Sequence, residues 1–232
     1  MRSLGVICAR ANSKGLANKN LGLISGIPLI AYSVTQALLS NLTHIVVSSD
    51  SIDILGVACQ AGTVAPLLRP AELATDTSRI EEALQHALLA EKSIGAKYDV
   101  IILLQNSSPF RTADDINKSL QKLEEDYNSV MTVTKAVHNH PMGSWMIEDG
   151  KVKPFMESSG YYRRQDKPDV YYENGMVYGV KADLFIKSGN LREQEIAMVE
   201  IPEIRSMDIH DKDDLILANA IADIIKKEAN SV

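Results

Sequence analysis

The chain has 232 residues, with 24 Lys and Arg against 30 Asp and Glu, so its formal net charge is −6. A content of 45% hydrophobic and 23% charged residues excludes extended disorder, and the length suffices for one sizeable core. A net negative chain has no broad electrostatic track for nucleic acid, so any polyanion it binds has to meet cations concentrated in one pocket.

The first element is the short apolar run Leu4 to Ala9, read as a buried strand. A polar loop from Arg10 to Asn20 follows, and Pro28 opens a helix with Leu29, Ile30, Val34, Ala37 and Leu38 on one face. Ile45 to Ser49 is a second strand, and Ile52 to Ala61 a short helix. Ser78 and Glu81 fit a capping box that starts a helix with Ile80, Ala83, Leu84, Ala87 and Leu88 on its face. Val100 to Leu104 is a continuous apolar strand of the kind buried on both faces in a parallel sheet. Thr112 to Asp126 is a helix and Ser129 to Thr134 a strand. From Ala136 to Pro168 the texture changes: Asp149-Gly150 is a turn signal between Met146-Ile147 and Val152, which predicts a β-hairpin excursion. Regular structure resumes at Gly175 to Val180, and a last helix runs from Lys212 to Lys227, with Asp211, Asp213 and Asp214 near its start.

Strands alternating with helices over the first 135 residues predict an open α/β sheet, whose ligands bind beyond the carboxyl ends of the strands. Three loops leave those ends: Arg10 to Asn20, the segment at Asp50, and Gln105 to Arg111. Cys8 and Cys59 are too few for a disulfide framework or a four-cysteine zinc site, and both read as buried thiols. His138 and His140 lack the partners of a zinc site and read as a turn before Pro141. No stretch approaches the roughly 20 apolar residues of a membrane span, and the N-terminal run has no secretory pattern. The expectation is a cytoplasmic protein, with no membrane and no nucleic acid among its partners.

Arg10, Lys14 and Lys19 lie within ten residues of one another, among Ser13, Gly15, Asn18 and Asn20. Backbone N–H groups at a glycine and three long cationic side chains suit a triphosphate, although the P-loop and dinucleotide-binding glycine patterns are absent. The same composition also suits a solvated loop.

The segment Ala9 to Leu16, with Lys19-Asn20 after it, resembles the signature loop of the cytidylyltransferases that activate sialic acids and related nonulosonates. Similar matches follow in family order at Leu68 to Thr77, Leu103 to Arg111, Arg163 to Pro168 with Glu173-Asn174-Gly175, and Ser206 to His210 leading into Asp214-Leu215. The resemblance spans nearly the whole chain. It implies an α/β fold with an open Rossmann-like nucleotidyltransferase sheet, one domain over 1–232, and residues 136–168 as an inserted hairpin that forms homodimers. The implied reaction takes CTP and a nonulosonic acid to the CMP-sugar and pyrophosphate, by positioning and charge neutralisation.

By that resemblance Arg10, Ser13, Lys14 and Lys19 cradle the triphosphate, while Asn20, Arg69 and the Asp76 to Ser78 segment hold the nucleoside. Arg69 reads alternatively as a surface arginine paired with Glu72. Gln105 would hydrogen-bond the sugar, and Ser107, Ser108 and Arg111 are either site residues or turn and cap residues. Arg164 and Gln165 match the sugar-contacting pair, with Asn174 and Tyr178 beside them; the tyrosines 161, 162, 171 and 172 read as hairpin packing and subunit interface. Arg10, Lys19, Gln105 and Asp208 are the catalytic candidates. Asp208 is the candidate ligand of Mg²⁺ or Mn²⁺, hard cations that take carboxylate and phosphate oxygens.

Two departures stand out. The family's second metal-site aspartate is here His210, a poor Mg²⁺ ligand, so the metal has one direct carboxylate, or Asp211 or Asp50 contributes, or His210 faces the sugar as contact or base. Gly143 lies near the place of a lysine in some sialic acid enzymes, which leaves legionaminate-type sugars open. A cytidylyltransferase for 3-deoxy-octulosonate and a catalytically silent nucleotide-sugar binding module are the competing readings.

Overall fold

The uninterrupted apolar run before Gln105 is the strand around which the sheet is arranged, in a computed structural model that describes residues 1–11, 15–62, 64–156 and 163–229. Its strands in chain order are β1 (Ser3–Cys8), β2 (Leu23–Ile24), β3 (Ile27–Pro28), β4 (His44–Ser49), β5 (Ala65–Leu68), β6 (Val100–Gln105), β7 (Ser129–Lys135), β8 (Trp145–Glu148), β9 (Lys151–Pro154), β10 (Tyr171–Lys181) and β11 (Ile196–Glu200). The helices are α1 (Leu29–Leu39), α2 (Ile52–Ala61), α3 (Ile80–Ser93), α4 (Ala113–Glu124), α5 (Ala182–Ser188) and α6 (Lys212–Ala229).

Seven strands form one sheet in the order β11-β7-β10-β6-β1-β4-β5. β1 pairs in parallel with β4 and β6, and β5 with β4, whereas β10 runs antiparallel to both β6 and β7. Ile102 and Leu104 of β6 point into one core with Ile30 and Val34 of α1 and Ile116 and Leu120 of α4. Ile101 and Leu103 point into the other, with Leu84 and Ala87 of α3 and Phe185 of α5. A strand that is buried on both faces needs apolar residues at every position, which is why no alternation is visible in it. A third cluster seats α6 on the small β2–β3 hairpin through Ile24, Ile209, Ala218 and Ala222.

Connections from β1 lead outward through β4 to β5, and then back to β6 on the other side of β1. The strand order therefore switches between β1 and β6, and their carboxyl ends flank the crevice where open α/β sheets bind ligands. β10 carries a register irregularity between Glu173 and Tyr178. Asn174 is buried there: its Oδ1 accepts from Thr132 Oγ1 at 2.6 Å and from the Met176 N–H at 3.2 Å, and its Nδ2 donates to Thr134 Oγ1 at 2.9 Å. This amide, which the resemblance implies as a substrate contact, is hydrogen-bonded inside the sheet.

Other expectations shift by less. The α3 capping contact comes from one residue later than read: the Arg79 N–H donates to Glu82 Oε2 at 3.0 Å, and Ser78 instead ties the preceding loop together. The hairpin forms at 145–154, with Asp149 and Gly150 both at positive φ, as a tight primed turn requires. Cys59 is exposed, contrary to its reading as a buried thiol.

Thr112 caps α4 reciprocally with Asp115, and Asp115 also accepts two bonds from Arg205, one of them Nη2 to Oδ1 at 3.0 Å. Burial by itself would raise this carboxyl, but the Arg205 and Thr112 hydrogen bonds outweigh it and hold Asp115 below the usual carboxylate value. A depressed folded-state value means the stabilisation is fully present above about pH 4, the unfolded value, and is lost as pH falls through the lower folded one. Asp115→Asn should cost about 3 kcal/mol at pH 7 by stranding Arg205, and should flatten the acid limb of stability against pH in urea titrations. An unchanged acid limb would remove Asp115 from that role.

Candidate active site

A cavity of about 320 Å³ opens at the β1/β6 switch point, lined among others by Cys8, Arg10, Lys19, Asn20, Arg69, Ser78, Gln105 and Asn106. Three strand-to-loop exits build it. Arg10 follows β1, Arg69 follows β5, Gln105 ends β6, and the loop before α3 supplies Thr75 to Ser78.

Arg10 Nη1 donates to the Thr75 carbonyl at 3.0 Å and pairs with Asp76 Oδ1 at 3.0 Å, which binds the cationic loop to the segment ahead of α3. Ser78 Oγ donates to the Glu72 carbonyl at 2.9 Å and lies 2.6 Å from Thr75 Oγ1. Asn20, almost fully buried, donates to the Arg10 carbonyl at 2.7 Å and accepts from Asn106 Nδ2 at 2.7 Å. The Asn106 link is not visible in sequence; its only trace is a polar residue just past five apolar ones.

Arg69 is buried, with Nη2 donating to the Ser48 carbonyl at 3.0 Å and not paired with Glu72. Its Nε has no hydrogen-bond partner among the described residues. A desolvated guanidinium with spare donors on a cavity wall suits a ligand that offers acceptors. Beside it, burial pushes the Cys8 thiol up to about 11, only partly offset by Arg69, so Cys8 is a neutral wall residue.

Lys19 Nζ donates to the Ile209 carbonyl at 2.7 Å, across 190 positions of sequence. Burial lowers the Lys19 ammonium, Asp208 raises it, Arg10 lowers it further and Asp214 raises it. The Ile209 N–H in turn donates to the Ser107 carbonyl at 2.9 Å. The Asp208 segment is thus clamped between the cationic loop and the end of β6. Gly15 completes the contact: a Cβ there would lie 2.2 Å from the His210 carbonyl oxygen, so only glycine permits this approach.

Asp208 Oδ2 lies 3.1 Å from His210 Nε2, while its Oδ1 is buried with no hydrogen-bond partner among the described residues. Asp50 Oδ1 accepts the Ala11 N–H at 2.8 Å, and Asp211 Oδ1 caps α6 through the N–H groups of Asp213 and Asp214. Both carboxylates considered as second metal ligands are therefore engaged elsewhere, and no cluster of three or more candidate ligands exists among the described residues.

Of the residues singled out in sequence, Arg10, Lys19, Asn20, Arg69, Ser78 and Gln105 come together on one cavity, with Asp208 and His210 adjoining it through Lys19. Ser13 and Lys14 lie outside the described residues, as do Tyr161 and Tyr162. Gln165 lines a separate cavity of about 800 Å³ with Lys135, His140, Gly143 and Lys167, beyond the end of β7. Arg164 begins a short 3₁₀ turn, Arg164–Asp166, near it. Tyr178 donates to Glu173 Oε2 at 3.0 Å, and Arg192 bonds the same carboxylate.

Residues 4–200 match the family model described as Cytidylyltransferase, and the chain belongs to that family. Among curated relatives it is 35% identical over 191 residues to CMP-N,N'-diacetyllegionaminic acid synthase of Legionella pneumophila, covering 81% of this chain and 82% of that one. It is 31% identical over 230 residues to the post-translational flagellin modification protein B of Campylobacter coli, covering 98% and 96%. The fold matches that of a CMP:2-keto-3-deoxy-manno-octonic acid synthetase complexed with CTP, with a TM-score of 0.71 at 17% identity over 98% of this chain and 100% of the other.

Gly15→Ala should lower stability by about 1–3 kcal/mol, the usual cost of forcing atoms into a packed contact. Hydrogen exchange at the His210 and Asp211 amides should accelerate while α1 stays protected. Exchange unchanged at those two amides would mean that the loop does not hold the segment.

Proposed function

We propose that this cytidylyltransferase transfers CMP from CTP to the anomeric hydroxyl of a nonulosonic acid and releases pyrophosphate. The observation that carries the reading is the Lys19 to Ile209 clamp, which sets Asp208 beside a cationic, polar cavity at the switch point of the sheet. The names of the relatives support the acid class: a legionaminic acid synthase at 35% identity, and a pseudaminic acid cytidylyltransferase of Campylobacter jejuni at 26% over 223 residues. The octulosonate alternative rests on the fold likeness at 17% identity. Against a silent binding module stand Arg10, Lys19 and Asp208, all retained around one cavity.

In this reading Arg69 meets the acceptor edge of the cytosine, with its buried position excluding competing water. Arg10 and Lys19 neutralise the triphosphate, so that a hydroxyl can approach the α-phosphorus. The sugar oxygen forms its bond to that phosphorus as the bond to the β-phosphate oxygen breaks, and pyrophosphate departs with both electrons of that bond. The hydroxyl proton passes to solvent water as the new bond forms, so the products are the CMP-sugar, pyrophosphate and one proton. Gln105, whose amide makes no hydrogen bond to the described residues, orients the acid at the end of β6. The desolvated Lys19 has less solvent to shed on meeting an anion.

Mg²⁺ or Mn²⁺ suits the orphaned Asp208 Oδ1, a hard oxygen donor with nothing else to bind, and Asp208 would hold it. When bound, the ion supplies further charge neutralisation on the phosphate oxygens. His210 is placed to steady the carboxylate from its other oxygen.

The chain acts as a single domain whose 136–168 segment makes a homodimer. Trp145, Ile147, Val152 and Phe155 are exposed on the β8–β9 hairpin and its exit, and a two-stranded hairpin is marginal without a covering surface. A second copy of the chain provides that cover. The exposed free thiol of Cys59 suits a reducing cytoplasm, and no helix among the described residues is long and apolar enough to cross a membrane.

Pyrophosphate release with CTP across sialic, legionaminic, pseudaminic and octulosonic acids tests the reading. Turnover is expected with at least one nonulosonic acid, at 10-fold or greater preference over octulosonate, about 1.4 kcal/mol. Release with octulosonate alone, or with none, would overturn it. Sedimentation of the same preparation should give a dimer.

A further inference from the structure

The largest buried polar side chain outside the cavity wall is Arg111, 2% exposed, in the loop between β6 and α4. Its Nη1 donates to two carbonyls, Gln105 at 3.0 Å and Met176 at 2.7 Å, and its Nη2 donates to Ser33 Oγ of α1 at 2.8 Å. Burial pulls this guanidinium down to about 10, with Asp115 acting in the opposite sense. Asp115 is already engaged by Arg205, so the charge of Arg111 is met chiefly by carbonyl dipoles. A desolvated guanidinium is expensive, and a leucine or methionine of similar volume would fill the same space at lower cost.

What the two carbonyls have in common is Gln105. One belongs to that residue. The other belongs to Met176, next to Gly175, whose φ of +77° and missing Cβ leave room for the Gln105 side chain. A Cβ on Gly175 would come 3.0 Å from Gln105 Oε1. The Gln105 amide itself makes no hydrogen bond to the described residues although it lines the cavity. An amide kept free for a ligand has no side-chain tether, so its placement depends on its backbone and on the wall it rests against. Both are held by one planar fork.

We propose that Arg111 is a positioning residue that sets the Gln105 amide for the nonulosonic acid by holding the end of β6 against the Gly175 bulge of β10. The assignment rests on Gln105 meeting the acid, as in the function proposed above. A point charge on a flexible stem cannot span two carbonyls and a hydroxyl as the guanidinium does. A misplacement of about 1 Å at a positioning group costs on the order of 100-fold in rate.

The test is a double-mutant cycle read on kcat/KM for the preferred acid and, separately, on KM for CTP. Arg111→Lys should lower kcat/KM for the acid about 10- to 100-fold and leave KM for CTP within about twofold. On a Gln105→Ala background the same change should cost nothing further, because Arg111 acts through Gln105. Ser33→Ala removes a guanidinium partner that does not touch Gln105, and should lower thermal stability while sparing the acid. Additive losses, equal losses for acid and CTP, or an acid defect in Ser33→Ala equal to that of Arg111→Lys would overturn the assignment. Should Arg111→Lys not fold, Gly175→Ala decides: it should reproduce the acid-selective loss, and unchanged acid kinetics would refute the proposal. A wild-type chain that turned over no acid would refute the parent function instead, whereas an active wild type with an additive cycle refutes this inference alone.

Discussion

The cavity depends on the bond from Lys19 to the Ile209 carbonyl, which joins positions 190 residues apart. Without it the cationic loop after β1 and the Asp208 segment before α6 would be separate surface features. The loop is desolvated at this point, and a carbonyl dipole with two nearby carboxylates keeps the ammonium stable there. Gly15 lets the backbones close to contact, and Ser107 fixes the same segment from the β6 side. One hydrogen bond to a charged donor is worth roughly 1.5–3 kcal/mol. Its larger effect is geometric, since it brings the cationic loop and the Asp208 carboxylate together before any ligand arrives.

Behind this clamp lies a layer of buried charge. Arg111 fastens the end of β6 to the bulge of β10, and Asp115 anchors Arg205 three residues before Asp208. Buried ion pairs contribute little net stability compared with apolar packing, but they impose direction. Arg111 and the Asp115–Arg205 pair are each joined to a strand or segment that leads into the cavity. The carboxyl ends of the strands therefore form a rigid rim and not a set of independent loops.

The core strands were legible because they are buried on both faces: Leu4 to Ala9 and Val100 to Leu104 are apolar runs too short for helices. The helix read from Thr112 and the strand read from Ser129 were legible to within two residues of α4 and β7. The strand β5 was not, since Ala-Pro-Leu-Leu is half-buried at the sheet edge with no alternation to read. Nor was α5, only Ala182–Ser188, or the antiparallel course of β10, which is set by pairing with β6 and β7 across the fold. The cationic loop, Arg69 and Gln105 could be found from the order of motifs at strand ends. The sheet bonds of Asn174 were not legible, because its partners, Thr132 and Thr134, lie about 40 residues away. Arg111 was left between cap and site for the same reason, its acceptors being backbone carbonyls that carry no sequence signal.

In the function proposed, the clamp brings Asp208 to a triphosphate held by Arg10 and Lys19. The most direct measurement is anomalous diffraction from crystals of the enzyme grown with CTP and Mn²⁺. One strong Mn²⁺ peak bound to Asp208 Oδ1 and to the triphosphate, with the cytosine against Arg69, is the expected result. A nucleotide lodged elsewhere, or a metal bound to the triphosphate with no contact to Asp208, would contradict it.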